Sequence, residues 1–200
     1  MFPCQKGIQT RKAVIKEILE CEYGLLECAL LKAAGKEKWP EKEGNTFLKI
    51  WSGQRLDEEE KDGPYRVYGA AGVQGSARTA TMKEEQAILI GRVGSYCGAV
   101  YKAWTKGFVS DNVMLAGAVE EEAEEDFLLL VLRAAHFNAE KRGSVQPYIT
   151  KDIILKRKYY LPELARQQKF LLENQEIFEK IREQEKEVEE LSVESDRLRS

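Results

Sequence analysis

From Glu163 to Ser200 the chain contains neither glycine nor proline. Within this stretch Leu164, Leu171 and Phe178 recur every seven residues, Ile181 and Val188 do the same, and so do Leu191 and Leu198. Glu, Lys and Arg fill the gaps. Such a stripe is too narrow to wall a globular core and suits a coiled-coil seam. Gln167 and Asn174 fall at the second seam position and Glu185 interrupts the first. Polar residues there weaken pairing but fix register and orientation. Pro162 fits the first turn of a helix, where its missing N–H costs nothing. Residues 161–200 are therefore expected to form one long coiled-coil helix, reaching roughly 50 Å at about 1.5 Å per residue. So polar a helix gains little by staying folded alone, which predicts a paired one. Leu164, Leu171, Phe178, Ile181, Val188 and Leu191 are its expected dimerisation contacts.

Upstream the texture differs. Thr10 to Ala34 has apolar residues close to the 3.6-residue period, weakened by Gly24 and stopped at Gly35, and reads as a helix. A polar connector with Pro40 and Gly44 follows. Short apolar runs separated by glycine then predict strands at 46–51, 65–68, 87–90, 99–104 and 113–116. Asp126 to Phe137 is long enough for a helix packed on that sheet. The expected organisation is an N-terminal helix and linker (1–45), a recognition domain (46–160) and a spacer helix (161–200). The fold class is α+β: a strand-rich mixed domain followed by a long C-terminal coiled-coil helix.

A hydrophobic fraction of 43% is ordinary for a globular protein, and no apolar run approaches the roughly 20 residues that cross a bilayer. The four cysteines form no CxxC pair. Cys21 and Cys28 share a helix face, which suits packing better than a metal or disulfide framework. A reduced, cytoplasmic protein is expected. The net charge of −3 argues against strong nonspecific nucleic-acid binding, yet residues 61–160 hold 14 Lys and Arg against 12 Asp and Glu. The acids there crowd into Glu120 to Asp126, which leaves room for a basic face elsewhere.

No catalytic machinery emerges. Gly69-Ala-Ala-Gly-Val-Gln-Gly75 lacks the Gly-Lys-Ser/Thr ending of a phosphate loop and reads as a glycine-rich loop between strands. Gly91-Arg-Val-Gly-Ser-Tyr-Cys-Gly98 follows a strand. It offers Arg92, Ser95 and Tyr96 at a strand end, or is simply a tight hairpin with a surface arginine; spacing leaves both open. His136, the single histidine, sits within the apolar helix pattern and reads as a partly buried, satisfied side chain. One histidine without paired cysteines gives zinc little to bind. Gln146-Pro147-Tyr148 lacks the second proline of the amino-methyltransferase motif. No cofactor is expected.

Several segments, in order, resemble the target recognition domain of a type I restriction–modification specificity subunit. They are Gly63-Pro-Tyr-x-Val-Tyr-Gly69 with Gly72 and Gly75, Ala87-Ile-Leu-Ile-Gly-Arg-Val-Gly-Ser95 with Gly98, Phe108-Val-Ser-Asp-Asn112, and Gly143-Ser-Val-Gln-Pro-Tyr-Ile-Thr150 followed by Leu161-Pro162 and Gln167-Gln168. The match spans about residues 46–170, and the long helix fits too. The resemblance implies a non-catalytic reader of one half of a split double-stranded DNA site, with a helix that sets the distance to a second reader. Partners implied are DNA, a methyltransferase subunit and a restriction subunit. Family members carry two recognition domains and two spacer helices; this chain carries one of each and resembles a half-subunit, which implies a homodimer through the C-terminal helix and a palindromic, interrupted site. A recognition-domain fragment of a fused DNA methylase, whose tail would be the Thr10–Ala34 helix, is the alternative. So is a coiled-coil adaptor without DNA binding, and an enzyme cradling a ligand on the Gly69–Gly75 loop is a further one. The expected DNA-binding residues are Arg66, Gln74, Arg78, Arg92, Ser95, Tyr96, Lys102, Lys106, Arg142 and Ser144. Arg and Gln can read purines bidentately, while lysines grip phosphates.

Overall fold

In the computed structural model, which describes residues 3–58, 61–119, 122–140, 142–143 and 147–198, the two ends of the chain lie against each other. Helix α1 (Pro3–Glu37) runs antiparallel to α4 (Leu164–Glu173) and α5 (Gln175–Arg197). Gln9 Nε2 donates to Ser195 Oγ at 2.8 Å, Tyr23 OH donates to Glu185 Oε1 at 2.7 Å, and Arg166 pairs with Glu37 at 3.6 Å. The ridge of α1 that makes this arm is Ile8, Ile15, Leu19, Tyr23, Leu26, Leu30 and Ala34, all buried. Gly24 and Gly35 lie inside the helix and each costs about 1 kcal/mol relative to alanine. Burying the large ridge side chains, at roughly 1.5–3 kcal/mol each, outweighs that. The helix passes the expected stop at Gly35. It ends where Lys38 takes φ 53° and the Trp39 N–H reaches back to the Ala34 carbonyl at 3.0 Å, a Schellman closure.

The single terminal helix expected from the sequence is two helices. Asn174 lies between them with φ −116° and ψ 15°, and its Nδ2 donates to the Phe170 carbonyl at 2.9 Å. A short amide side chain competing for backbone groups is a sufficient cause of such a break. The heptad seam is used within the chain. Phe178, Ile181 and Leu191 are buried in the core that α1 shares, and Leu164, Leu171 and Val188 are half-buried. Gln167, expected to tune coiled-coil register, is fully buried as a staple: its Nε2 donates to the Glu122 and Pro162 carbonyls, and its Oε1 accepts from the Glu124 N–H.

Between the helices sits a body of three small sheets. Strands β2 (Leu48–Ser52), β5 (Ala87–Gly91), β6 (Val100–Ala103) and β8 (Val113–Ala118) form an antiparallel sheet in the order β2-β8-β5-β6. Strands β3 (Lys61–Gly69), β4 (Gly72–Ala77) and β7 (Gly107–Val109) form a second, with β3 and β7 parallel, and β1 (Glu41–Glu43) pairs with β9 (Lys158–Tyr160). The run Ala87-Ile-Leu-Ile is apolar throughout because both faces of β5 are covered. Ile88 and Ile90 join the helices' core while Leu89 joins Tyr68, Met82 and Val113 in a second one. Helix α2 (Glu125–Ala134) buries Phe127 to Leu132 on every side and carries Glu125 and Asp126 at its positive N-terminal end. A one-turn helix, α3 (Lys151–Lys156), leads into β9.

Three local expectations change. The Gly69–Gly75 loop is a hairpin in which Gly69 pairs with Gly72 across a two-residue turn, made possible by Gly72 at φ 106°. His136 lies beyond the end of α2 at φ 48°, with its side chain 64% exposed and Nε2 3.1 Å from Glu27. Cys21 and Cys28 do not pack; both are exposed on α1. Among the described residues no helix is long and apolar enough to cross a membrane.

Candidate nucleic-acid interface

Where β5 ends at Gly91, the chain enters a loop that backbone hydrogen bonds tie to two other segments. The Arg92 N–H donates to the Asn112 carbonyl at 2.8 Å, the Gly94 N–H to Pro147 at 2.9 Å, and the Ile149 N–H to the Arg92 carbonyl at 2.9 Å. Arg142 and Tyr148 exchange a pair of backbone bonds at 2.9 and 2.8 Å, closing the Gly143 turn. Gly98 completes the arrangement at φ 83°. A side chain there would collide with the backbone of Phe137 and Asn138, so only glycine lets the loop lie this close.

These tied loops project Arg92, Ser95, Tyr96, Arg142 and Tyr148 into solvent from one edge of the body. The side-chain bond described for Arg92 is a long one, 3.4 Å from Nη1 to the Asp111 carbonyl, which leaves most of the guanidinium fork uncommitted. A cleft of about 510 Å³ beside it is lined by Ser52, Arg92, Met114, Tyr148, Thr150 and Lys151. Guanidinium forks, hydroxyls and exposed tyrosine rings held on a fixed backbone can grip phosphates and read base edges.

The remaining sequence candidates are distributed unevenly. The tip of the β3–β4 hairpin lies near this edge, since Ala70 stands close to Gly91 and Tyr101 OH donates to the Gly69 carbonyl at 2.5 Å. Gln74 is exposed on β4 with its amide laid across Gly69. Arg78 is exposed just past β4, beside Gly63 at the far end of the hairpin, and Lys106 is half-buried between β6 and β7. Ser144 lies outside the described residues. Sequence reasoning passed over Tyr148, Thr150 and Lys151. Tyr148 and Thr150 stand in the Gly143–Thr150 motif, which was the available signal.

Arg66 and Lys102 are not on this surface; both are spent inside the chain. Arg66 Nη1 pairs with Glu189 of α5, which is 6% exposed. The same carboxylate accepts from Tyr68 OH at 2.8 Å, Thr105 Oγ1 at 2.9 Å and the Trp104 N–H at 3.1 Å. Lys102 is 6% exposed, lies 3.3 Å from both Glu125 and Asp126, and sits 4.7 Å above the Trp104 ring. One turn before Glu189, Glu185 accepts from Tyr23 OH and, at 3.1 Å, from Trp104 Nε1. Burial pushes the Glu185 carboxyl up to about 7, and burial likewise raises the Tyr23 and Tyr68 hydroxyls. These carboxylates fasten the body to the arm.

The fold has known counterparts. The S subunit of a type I restriction-modification system from M. genitalium superposes with a TM-score of 0.66 at 16% identity, covering 97% of this chain and 55% of that one. The HsdS subunit from Thermoanaerobacter tengcongensis gives 0.60 at 14% identity, covering 96% and 54%. A structure concerned with complex assembly and conformational transition of the type I R-M system gives 0.61 at 14%, covering 96% and 53%. At these identities the likeness is one of fold, and the chain spans about half the length of each. No curated protein sequence matches it. A family model, however, described as the type I restriction modification DNA specificity domain, matches residues 36–190, taking in the body, the tied loops and most of α4 and α5. The chain belongs to that family.

Proposed function

We propose that the chain reads part of a double-stranded DNA site as the specificity module of a type I restriction–modification or DNA adenine methyltransferase assembly. In this reading residues 46–160 do the reading, and residues 161–200, backed by α1, form the spacer. Methyl transfer and cleavage belong to partner subunits, the module has no chemistry of its own, and its setting is the cytoplasm. The observation that carries the reading is the tied-loop edge, where Arg92, Ser95, Tyr96, Arg142 and Tyr148 stand exposed on a backbone fixed at three points. Membership of the specificity-domain family supports it.

Arg92 and Arg142 are the side chains suited to forked contact with guanine or phosphate, and Tyr96 and Tyr148 supply stacking or apolar contact. Gln74 is positioned to join them from the hairpin. Arg78 and Lys106 suit phosphate contact and the salt dependence that goes with it. Selection from a random duplex library, run on the chain alone and with its methyltransferase partner, tests this. Enrichment of a defined motif is expected. If neither condition enriches a motif, the reading is wrong.

A further inference from the structure

The cleft beside Arg92 holds positive charge with no acid to offset it. Arg92 and Lys151 line it, and no Asp or Glu does. The neighbouring carboxylate of Asp152 pairs with Lys156 at 3.5 Å, and Asp111 meets Arg92 only through its backbone carbonyl. Lys151 is half-buried, and its ammonium makes no ion pair or hydrogen bond among the described residues. Thr150 stands at the N-cap of α3 with φ −109° and ψ 157°, yet its hydroxyl does not cap the helix. A threonine there ordinarily bonds a first-turn N–H. Ser52 Oγ is likewise uncommitted among the described residues. Because α3 has only six residues, the positive field in the cleft is that of the two side chains. The walls are fixed before anything binds. Ser52 pairs with Met114 across β2 and β8, and the Ile149 N–H holds the Arg92 carbonyl at 2.9 Å. Met114 and Ile149, each 1% exposed, close the floor.

We propose that this cleft seats one phosphodiester of the DNA backbone, with Lys151 supplying the charge and Thr150 and Ser52 donating hydrogen bonds to its oxygens. The inference rests on the reading of the tied-loop edge as a DNA surface, and adds a division of labour to it. Contacts to phosphate fix where a protein sits on a strand, whereas contacts to base edges carry the sequence. Lys151 is therefore a positioning residue, blind to sequence, that sets the register in which Arg92 at the rim reaches a base. Two cations and two hydroxyls on a pinned backbone need no rearrangement to receive a tetrahedral oxyanion, so little of the binding energy is lost to ordering the site. Inorganic phosphate offers the same oxyanion. A strand differs in carrying it in line with a base at Arg92.

Salt titrations of duplex binding test the seat, using the full chain alone and with the methyltransferase partner and reading fluorescence anisotropy. Lys151→Ala is expected to weaken every duplex alike, about fivefold near 0.15 M salt, and to lower the slope of log affinity against log salt by about 1. Lys151→Gln, which keeps the stem, should match alanine, and Lys151→Arg should keep the wild-type slope. On the selected duplex, methylphosphonate replacing one phosphate at a time should find a single step that costs wild type this factor and costs Lys151→Ala nothing. Inorganic phosphate added at constant ionic strength should not displace the duplex. An unchanged slope overturns the proposal. So does a neutralised backbone that costs wild type and Lys151→Ala the same at every step, a shift in base preference on Lys151→Ala, or displacement by inorganic phosphate. A motif selected with the slope unchanged removes the seat and keeps the recognition reading. A lowered slope with no motif selected removes that reading and keeps the seat, and a chain that binds no duplex removes both.

Discussion

Burial holds the Glu185 carboxyl at about 7, against an ordinary 4.5, although Tyr23 and Trp104 both donate to it. A folded-state pKa above the unfolded one means that the native protein binds the extra proton between about pH 4.5 and 7. The stabilisation is therefore complete below that window and lost as pH rises through it, a change on the order of 3 kcal/mol. Glu185→Gln removes the titration while keeping groups that can bond Tyr23 and Trp104. Urea unfolding at pH 5 and pH 8 should show wild type losing more stability than the variant, and equal losses would refute the assignment. Gly98→Ala should destabilise by about 2 kcal/mol or more, since it forces a left-handed alanine against Asn138; thermal melts measure this. Arg92→Ala leaves the fold untouched and should cost about 1–3 kcal/mol in duplex affinity and relax preference at one base position, read by fluorescence anisotropy. An unchanged preference would remove Arg92 from the reading surface.

At the scale of elements, α5 is more than a strut. Glu189 gathers four donors from β3 and the turn after β6, so Glu189→Ala leaves Arg66 charged and half-buried without its partner. A loss of roughly 3 kcal/mol is expected in urea unfolding. Arg66→Ala on that background should cost much less than it does alone, whereas additive losses would mean that the pair is not coupled. This clasp also marks the limit of what sequence pattern carried. The heptads of Leu164–Leu198 and the glycine-bounded strands were legible because each depends on local spacing. That the seam closes on α1 was not, because both ridges fit a partner in the same chain or another one equally well. Arg66 and Lys102 looked like surface cations for the same reason: their carboxylate partners lie more than twenty residues away in sequence. Strands β1, β7 and β9 are three residues each, too short to alternate. The Gly91 and Gly143 motifs did locate the exposed edge, since turn chemistry is local, although Tyr148 needed the backbone bonds to bring it beside Arg92.

On the scale of the whole molecule, arm and body share one interior. Tyr23, Leu26 and Leu30 of α1, Phe170 of α4, Phe178, Ile181 and Leu191 of α5, Phe127 and Leu130 of α2 and Ile88 and Ile90 of β5 belong to a single buried cluster. Trp39, Phe127 and Phe170 meet ring to ring at 5.8–5.9 Å, joining the end of α1 to α2 and α4. A spacer that merely projected from a finished domain would melt by itself, as an isolated helix so polar has little to hold it. Here removing α5 strips Glu185 and Glu189 from the body and exposes the apolar ridge of α1. The expected outcome is one cooperative transition. Far-UV circular dichroism, dominated by α1, α4 and α5, should follow the same urea midpoint as fluorescence, which reports Trp39 at the aromatic junction and Trp104 at the clasp. Helical signal lost at lower urea than the tryptophan signal would show that the arm is a separate unit. The arm would then be joined to the body by a hinge rather than by a rigid seat.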